Sequence, residues 1–322
     1  IVPWDAAKFR GPNDYGGVVG VLNDLLGGKT ILVNTYSQYG LIMPYAVSLI
    51  FHVVPLSYYT FFYVNYVSTI AGFILLYIIL RTWSKSYVMG IFFIFLVFAH
   101  HYFAQQTNIL FFCQNTFLRF GWWIILFFYL LKKDTLVRLA AFRLVIELAL
   151  VSIGVFWAFD TGTYILFSYV TYLIVQSILT HRDVAHIIRS ALNQLIRLAM
   201  SLLMMFLLIN LFSFVRSGQW PNWQEFYFHT TLFATNGFGM TKLPSVGPYL
   251  LVFAFHLIVA TALIYMVFHW FPRVSSGYTN LPLLGFLTAY AMLQLLYYVG
   301  ESVPGNLHLT ILPTLLIICF LL

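Results

Sequence analysis

The residues best equipped for chemistry in this 322-residue chain are its carboxylates, of which it has nine. An ionised carboxylate can take a proton as a general base. Asp5 and Asp14 lie in a polar N-terminal stretch, and Asp160 and Glu301 lie at breaks between apolar runs. Asp14 sits in Gly11-Pro12-Asn13-Asp14-Tyr15-Gly16, which also fits an ordinary turn. Asp160, just before Thr161, fits a helix N-cap, and Asp24 fits the solvated face of a helix. Cations that could hold an anion near these groups are Lys8, Arg10, Lys29, Arg119, Arg216 and Lys242. Arg119 is the best placed, near the start of an apolar run, where its planar fork can grip phosphate or its stem can snorkel to an interface. His100 and His101 are adjacent, so on a helix they point apart and make a poor metal pair. They fit interfacial positions or contacts to a substrate, and Glu301 and His308, flanking a Pro-Gly turn, read the same way. Glu147 is different: it falls inside an apolar run and demands a partner, for which Arg143, one turn earlier, is the nearest choice.

The elements that carry these residues are membrane spans. Apolar residues make up 61% of the chain and charged residues 8%, against roughly 25% charged in ordinary soluble domains. Apolar runs of span length fall at about 56–80, 86–104, 114–131, 139–159, 161–180, 191–214, 247–271, 281–299 and 306–322, about nine in all. Residues 41–53 are too few to span and include Pro44, so they read as a juxtamembrane or re-entrant helix. The expected fold is an all-α polytopic transmembrane bundle. It forms a single membrane domain over 1–322, with 1–55 an extracytoplasmic loop carrying juxtamembrane helices and 56–322 the spans. The chain begins without Met and stops within an apolar run, so it reads as a fragment of a longer protein.

Charge fixes the orientation. Arg81 and Lys85, then Lys132, Lys133 and Arg138, then Arg182 and Arg189, then Arg273 fall on alternate connections, which the positive-inside rule assigns to the cytoplasm. The amphipathic stretch His181 to Arg189 is expected to lie along the headgroups. The net charge of +7 comes from single residues scattered between apolar runs and forms no stripe for nucleic acid. No glycine-rich phosphate loop, Cys/His cluster, Gly-x-Ser-x-Gly elbow or HExxH occurs, so no cofactor is assigned and a divalent metal has no clear ligand cluster. On the other face, Val18, Val19, Val21, Leu22, Leu25 and Leu26 recur at helical spacing until Gly27-Gly28 ends the pattern. The first loop should therefore be an ordered platform on the membrane.

Several segments in order carry a family resemblance: Trp4-Asp5, Asn23-Asp24-Leu25-Leu26-Gly27-Gly28-Lys29, Tyr36-Ser37-Gln38-Tyr39-Gly40, Asn115 to Gly121, Trp157 to Gly162, Asn236 to Met240, and Tyr297 to Ser302 with Asn306-Leu307. Together the chain resembles GT-C class integral-membrane glycosyltransferases, which take a sugar from a polyprenyl-phosphate carrier. The chain departs from the pattern with Asn34 and Ala6 where relatives often carry acidic residues, and Glu301 where they often carry Arg. The resemblance implies an inverting transfer at the extracytoplasmic face, from a polyprenyl-phosphate sugar donor to a glycan, lipid or protein acceptor. It implies Asp5, with Asp14 second, as the base that takes the acceptor proton. Arg119, with Lys8 and Arg10, would hold the donor phosphate, and His100, His101, Asp160, Glu301 and His308 would line the substrate. Competing readings are a lipid or polysaccharide transporter or flippase, which predicts ionisable residues along a path through the membrane, and a non-catalytic subunit of a membrane assembly.

Overall fold

A computed structural model describes residues 16–37, 39–103, 117–181, 183–226, 245–270, 280–300 and 304–321, with 98, 100–103, 269–270, 300 and 304–310 described by their backbone alone. The described residues form an all-α polytopic bundle of twelve named helices. Two short ones come first, α1 (Gly16–Leu26) and α2 (Ile42–Phe51). The bundle follows as α3 (Tyr58–Ser84), α4 (Tyr87–Phe103), the single turn α5 (Phe117–Phe120), α6 (Trp122–Leu136), α7 (Ala140–Trp157) and α8 (Phe159–Thr180). It is completed by α9 (Val184–Ser217), α10 (Pro248–Trp270), α11 (Leu281–Gly300) and α12 (Pro304–Leu321). Every apolar run of span length coincides with one of these helices. Six of them, α3 and α7 to α11, are long and apolar enough to cross a bilayer among the described residues, where the runs alone predict about nine spans. Helix α6 falls short for a local reason: it is 15 residues long, starts after Gly121 and ends in Lys132-Lys133-Asp134-Thr135-Leu136.

Burial ranks the spans. The apolar stretch of α11 is 67% buried and that of α8 50%, against 11% for α9. Helices α8 and α11 are therefore the centre of the bundle, and α9 is its rim, with Met200, Leu203, Met204, Leu207 and Leu211 exposed as a lipid-facing surface requires. The core between them is aromatic. Trp123, Phe127, Phe286 and Tyr290 are almost fully buried, with Trp123 and Tyr290 rings 5.0 Å apart and Phe286 stacked on Tyr290 at 6.3 Å.

Helix α9 corrects one expectation. The stretch expected along the headgroups is continuous with the span, giving a 34-residue helix, about 51 Å long at 1.5 Å per residue and longer than a hydrocarbon core of about 30 Å. Asp183 starts it as N-cap, accepting a hydrogen bond from the His186 amide at 3.2 Å, and no Gly or Pro interrupts the sequence that follows.

The described residues of the first loop, 16–37 and 39–53, form an ordered platform. Helix α1 buries Val18, Val21, Leu22 and Leu25, and Gly28, at φ +91°, turns the chain out of it. Pro44 is tolerated because it lies in the first turn of α2. The platform is tied to the end of α9: Arg216 donates to the carbonyls of Leu25 at 2.5 Å and Lys29 at 3.2 Å, and the Asn222 amide donates to the Leu32 carbonyl at 2.6 Å. Residues 16–35 and 216–222 thus occupy one end of the bundle. Arg81, Lys85, Lys133 and Arg138 fall at the other, where Trp83 stacks on Phe320 at 4.0 Å.

Candidate functional site beneath the platform

The platform end holds a partly buried ion pair. Arg119 Nη2 lies 2.7 Å from Asp160 Oδ2, with the two side chains 11% and 23% exposed. Their positions follow from the local sequence. Gly121 breaks the helix after the α5 turn, so Arg119 leaves the wall of the bundle before α6 begins. Asp160 is the second residue of α8, after Phe159, where a carboxylate also faces the positive end of the helix dipole. Ala158 occupies the N-cap position, so the expected capping role of Asp160 is replaced by pairing with Arg119. Trp157 locks the two segments together: its indole N–H donates to the Leu118 carbonyl at 2.6 Å and its ring stacks on Trp122 at 4.5 Å.

Aromatic rings enclose the guanidinium. The centroids of Tyr39, Phe120 and Tyr297 lie 5.0, 4.9 and 5.3 Å from Arg119 Cζ, within cation–π range. Tyr39 reaches it because Gly40, at φ +136°, lays its backbone against the α7–α8 junction, where an added Cβ would come within 2.1 Å of the Trp157 carbonyl. The Leu41 amide then donates to the Phe156 carbonyl at 3.4 Å. Deeper in the bundle, Tyr164, one turn beyond Asp160, meets Tyr290 edge to face at 6.2 Å, and the Tyr290 hydroxyl is buried with no hydrogen-bond partner among the described residues.

Above the pair the platform is closed by a polar clasp. Asp24 accepts from Lys29 at 2.8 Å and from the Thr35 hydroxyl at 2.6 Å, and these two bonds hold its carboxyl below the usual range. Asp24, which the sequence alone places on a solvated face, is therefore a loop-bridging residue. Tyr45 accepts from the Ile31 amide at 2.9 Å, and burial raises its hydroxyl pKa.

Of the residues proposed from sequence, Arg119 and Asp160 come together. His100 and His101 on α4 and His308 on α12 are placed by backbone alone. Asp5, Lys8, Arg10, Asp14 and Glu301 lie outside the described residues. No group of three or more His, Cys, Asp or Glu that could hold a metal occurs among the described residues. Tyr39 and Tyr297 carry no role legible from sequence, although both stand inside the motifs that carry the resemblance. Glu147 also differs from the helical-spacing expectation of Arg143 as its partner. Glu147 accepts from Lys133 Nζ and Tyr169 at 2.8 and 2.7 Å, while Arg143 turns away to Asp134.

No protein-family model matches the chain, and neither a curated protein nor a solved structure matches it.

Proposed function

We propose that the chain is a GT-C-like, inverting membrane glycosyltransferase that moves a sugar from a polyprenyl-phosphate donor to an acceptor at the extracytoplasmic face. The observation that carries this reading is convergence. Tyr39-Gly40, Leu118-Arg119-Phe120, Trp157 to Asp160 and Tyr297, far apart in sequence and each part of a segment that resembles the family, meet around one guanidinium.

The chemistry fits the place. A lipid-linked donor lies with its phosphate at the interface, and Arg119, oriented by Asp160, supplies charge-assisted hydrogen bonds to the leaving phosphate there, with Lys8 and Arg10 adding charge from the loop. Inverting transfer requires one base, because the acceptor oxygen attacks the anomeric carbon as the phosphate leaves with its electron pair. Asp5 takes the acceptor proton in this reading, with Asp14 the second candidate.

The test is sugar transfer by purified, monodisperse protein in nanodiscs, with donor binding followed separately. Asp5→Asn should slow the chemical step by about 10²–10⁴-fold while donor binding survives. Asp14→Asn should change little. A dead Asp14→Asn beside an active Asp5→Asn would move the base to Asp14, and full activity in both would overturn the glycosyltransferase reading.

A further inference from the structure

The basic end of the bundle carries a second polar feature that the proposed reaction does not use. A cleft of about 290 Å³ opens between α6, α7, α8 and α9, lined by Lys133, Arg143, Glu147, Gln176, Gln194 and Arg197 among others. Most of its charge is already cancelled. Lys133 is paired with Glu147 at 2.8 Å and bonded to Tyr172 at 3.0 Å, and Arg143 is paired with Asp134 and donates to the carbonyls of Val137 and Arg138 at 2.6 and 3.0 Å. Arg197 has no such partner among the described residues. Among the described residues it is the uncompensated cation of the cleft.

Its position makes that costly. Ser190, Gln194, Arg197 and Ser201 recur at helical spacing on one face of α9. The other three members face neighbouring helices: Ser190 and Gln194 bond Ser177 of α8 at 3.5 and 3.2 Å, and Ser201 bonds Ser152 of α7 at 2.8 Å. Arg197 therefore shares the stripe that packs on the bundle, about 20 Å along the axis from Val184, where it lines the cleft with its side chain exposed. A guanidinium inside an apolar span calls for an anion. Gln176, whose side-chain amide makes no hydrogen bond among the described residues, lines the same cleft and offers two further donors.

We propose that this cleft binds a phosphodiester monoanion, the headgroup of an anionic phospholipid in the leaflet at the basic end, with Arg197 pairing with the phosphate and Gln176 donating to it. One unmatched positive charge suits a phosphodiester, which carries one negative charge. Basic pockets between spans on the cytoplasmic side are where anionic headgroups bind.

The experiment is native mass spectrometry of the full chain in detergent, titrated with phosphatidylglycerol, with phosphatidylcholine and with inorganic phosphate. The expected result is retention of phosphatidylglycerol, weakened about tenfold or more in Arg197→Gln, partly kept in Arg197→Lys, and unchanged in Arg189→Gln. Arg189 is exposed on the same helix and off the stripe, so it controls for general attraction to a basic surface. Monodispersity of each variant checks the fold. Equal loss in Arg189→Gln, or wild-type retention in a monodisperse Arg197→Gln, would overturn the site. Binding of inorganic phosphate that depends on Arg197, without retention of phosphatidylglycerol, would overturn the lipid headgroup as its source.

Discussion

At the scale of single residues, the Arg119–Asp160 pair is the hinge of the functional reading, because each partner determines what the other can do. Asp160 holds the guanidinium through one terminal nitrogen, which leaves the planar group oriented rather than mobile on its long stem. Lys keeps the charge but loses the fork, so Arg119→Lys should weaken donor use about tenfold, and Arg119→Ala should remove most of it. The alanine variant also strands a partly buried carboxylate, a loss of about 3 kcal/mol, so turnover is compared only after a thermal melt shows a folded protein. Wild-type turnover in a folded Arg119→Ala protein would take Arg119 out of the mechanism. Sequence identified both members of the pair but not the pair itself, because residues separated by 41 positions meet only once α5 and α8 are packed. The same limit explains Glu147. Helical spacing offers Arg143 as its neighbour, whereas the contact is made across helices by Lys133, which the sequence presents only as a marker of topology.

Elements show the opposite balance. Hydropathy and Gly-Gly punctuation made the helices legible, including α1 and the short α2, since burial and backbone conformation are local properties of composition. Caps were less so: Asp183 extends α9 well past its apolar run, and nothing in hydropathy marks it. The platform is where elements and site are coupled, and Gly40 is its fixing point. Gly40→Ala combines a positive φ with a Cβ placed against the Trp157 carbonyl, so it should lower stability by about 3 kcal/mol or more and release Tyr39 from Arg119. Protease sensitivity of the platform at unchanged helical content reads this out; wild-type resistance would show that the junction can yield. The Asp24 clasp adds a pH dependence. Its carboxyl pKa is lowered in the folded state by the bonds from Lys29 and Thr35, so its stabilisation is present above the unfolded value of about 3.9 and is lost as pH falls through the lowered folded value. Protection from hydrogen exchange over residues 16–37, relative to the intrinsic rate at each pH, should therefore fall on acidification below about pH 4, and Asp24→Asn should be less protected at neutral pH and lose that acid step. An unchanged profile in Asp24→Asn would assign the clasp no role.

The whole molecule separates two polar ends across an aromatic core. Arg119 and Asp160 lie under the platform, and Lys133, Glu147 and Arg197 lie at the basic end. Trp123, Phe127, Phe286 and Tyr290 fill the centre between them. A transport path would need a chain of ionisable groups through that centre, where His256, fully buried on α10, is bonded to Thr314 at 2.8 Å, whereas a lipid-linked donor entering from the side needs polar groups at one end only. The arrangement turns orientation into the decisive global property, because the proposed donor and acceptor meet only if the platform faces away from the cytoplasm. Basic residues on the opposite connections predict that it does. Labelling of single cysteines in intact cells with a membrane-impermeant maleimide measures it, after Cys113 and Cys319 are replaced by Ser. The buried Ser37 is a poor reporter, being 1% exposed. Lys29, half exposed on the platform, and Trp220, 62% exposed beside it, are good ones, with Val184, 65% exposed at the basic end, as their counterpart. Lys29→Cys and Trp220→Cys should both react from outside and Val184→Cys only after permeabilisation. Because residues 29 and 216 are in direct contact, opposite behaviour of the Lys29 and Trp220 positions would contradict the fold itself. Reaction of Val184→Cys alone would leave the bundle intact but invert it, placing the Arg119 site at the cytoplasmic face and removing the basis for an extracytoplasmic transfer.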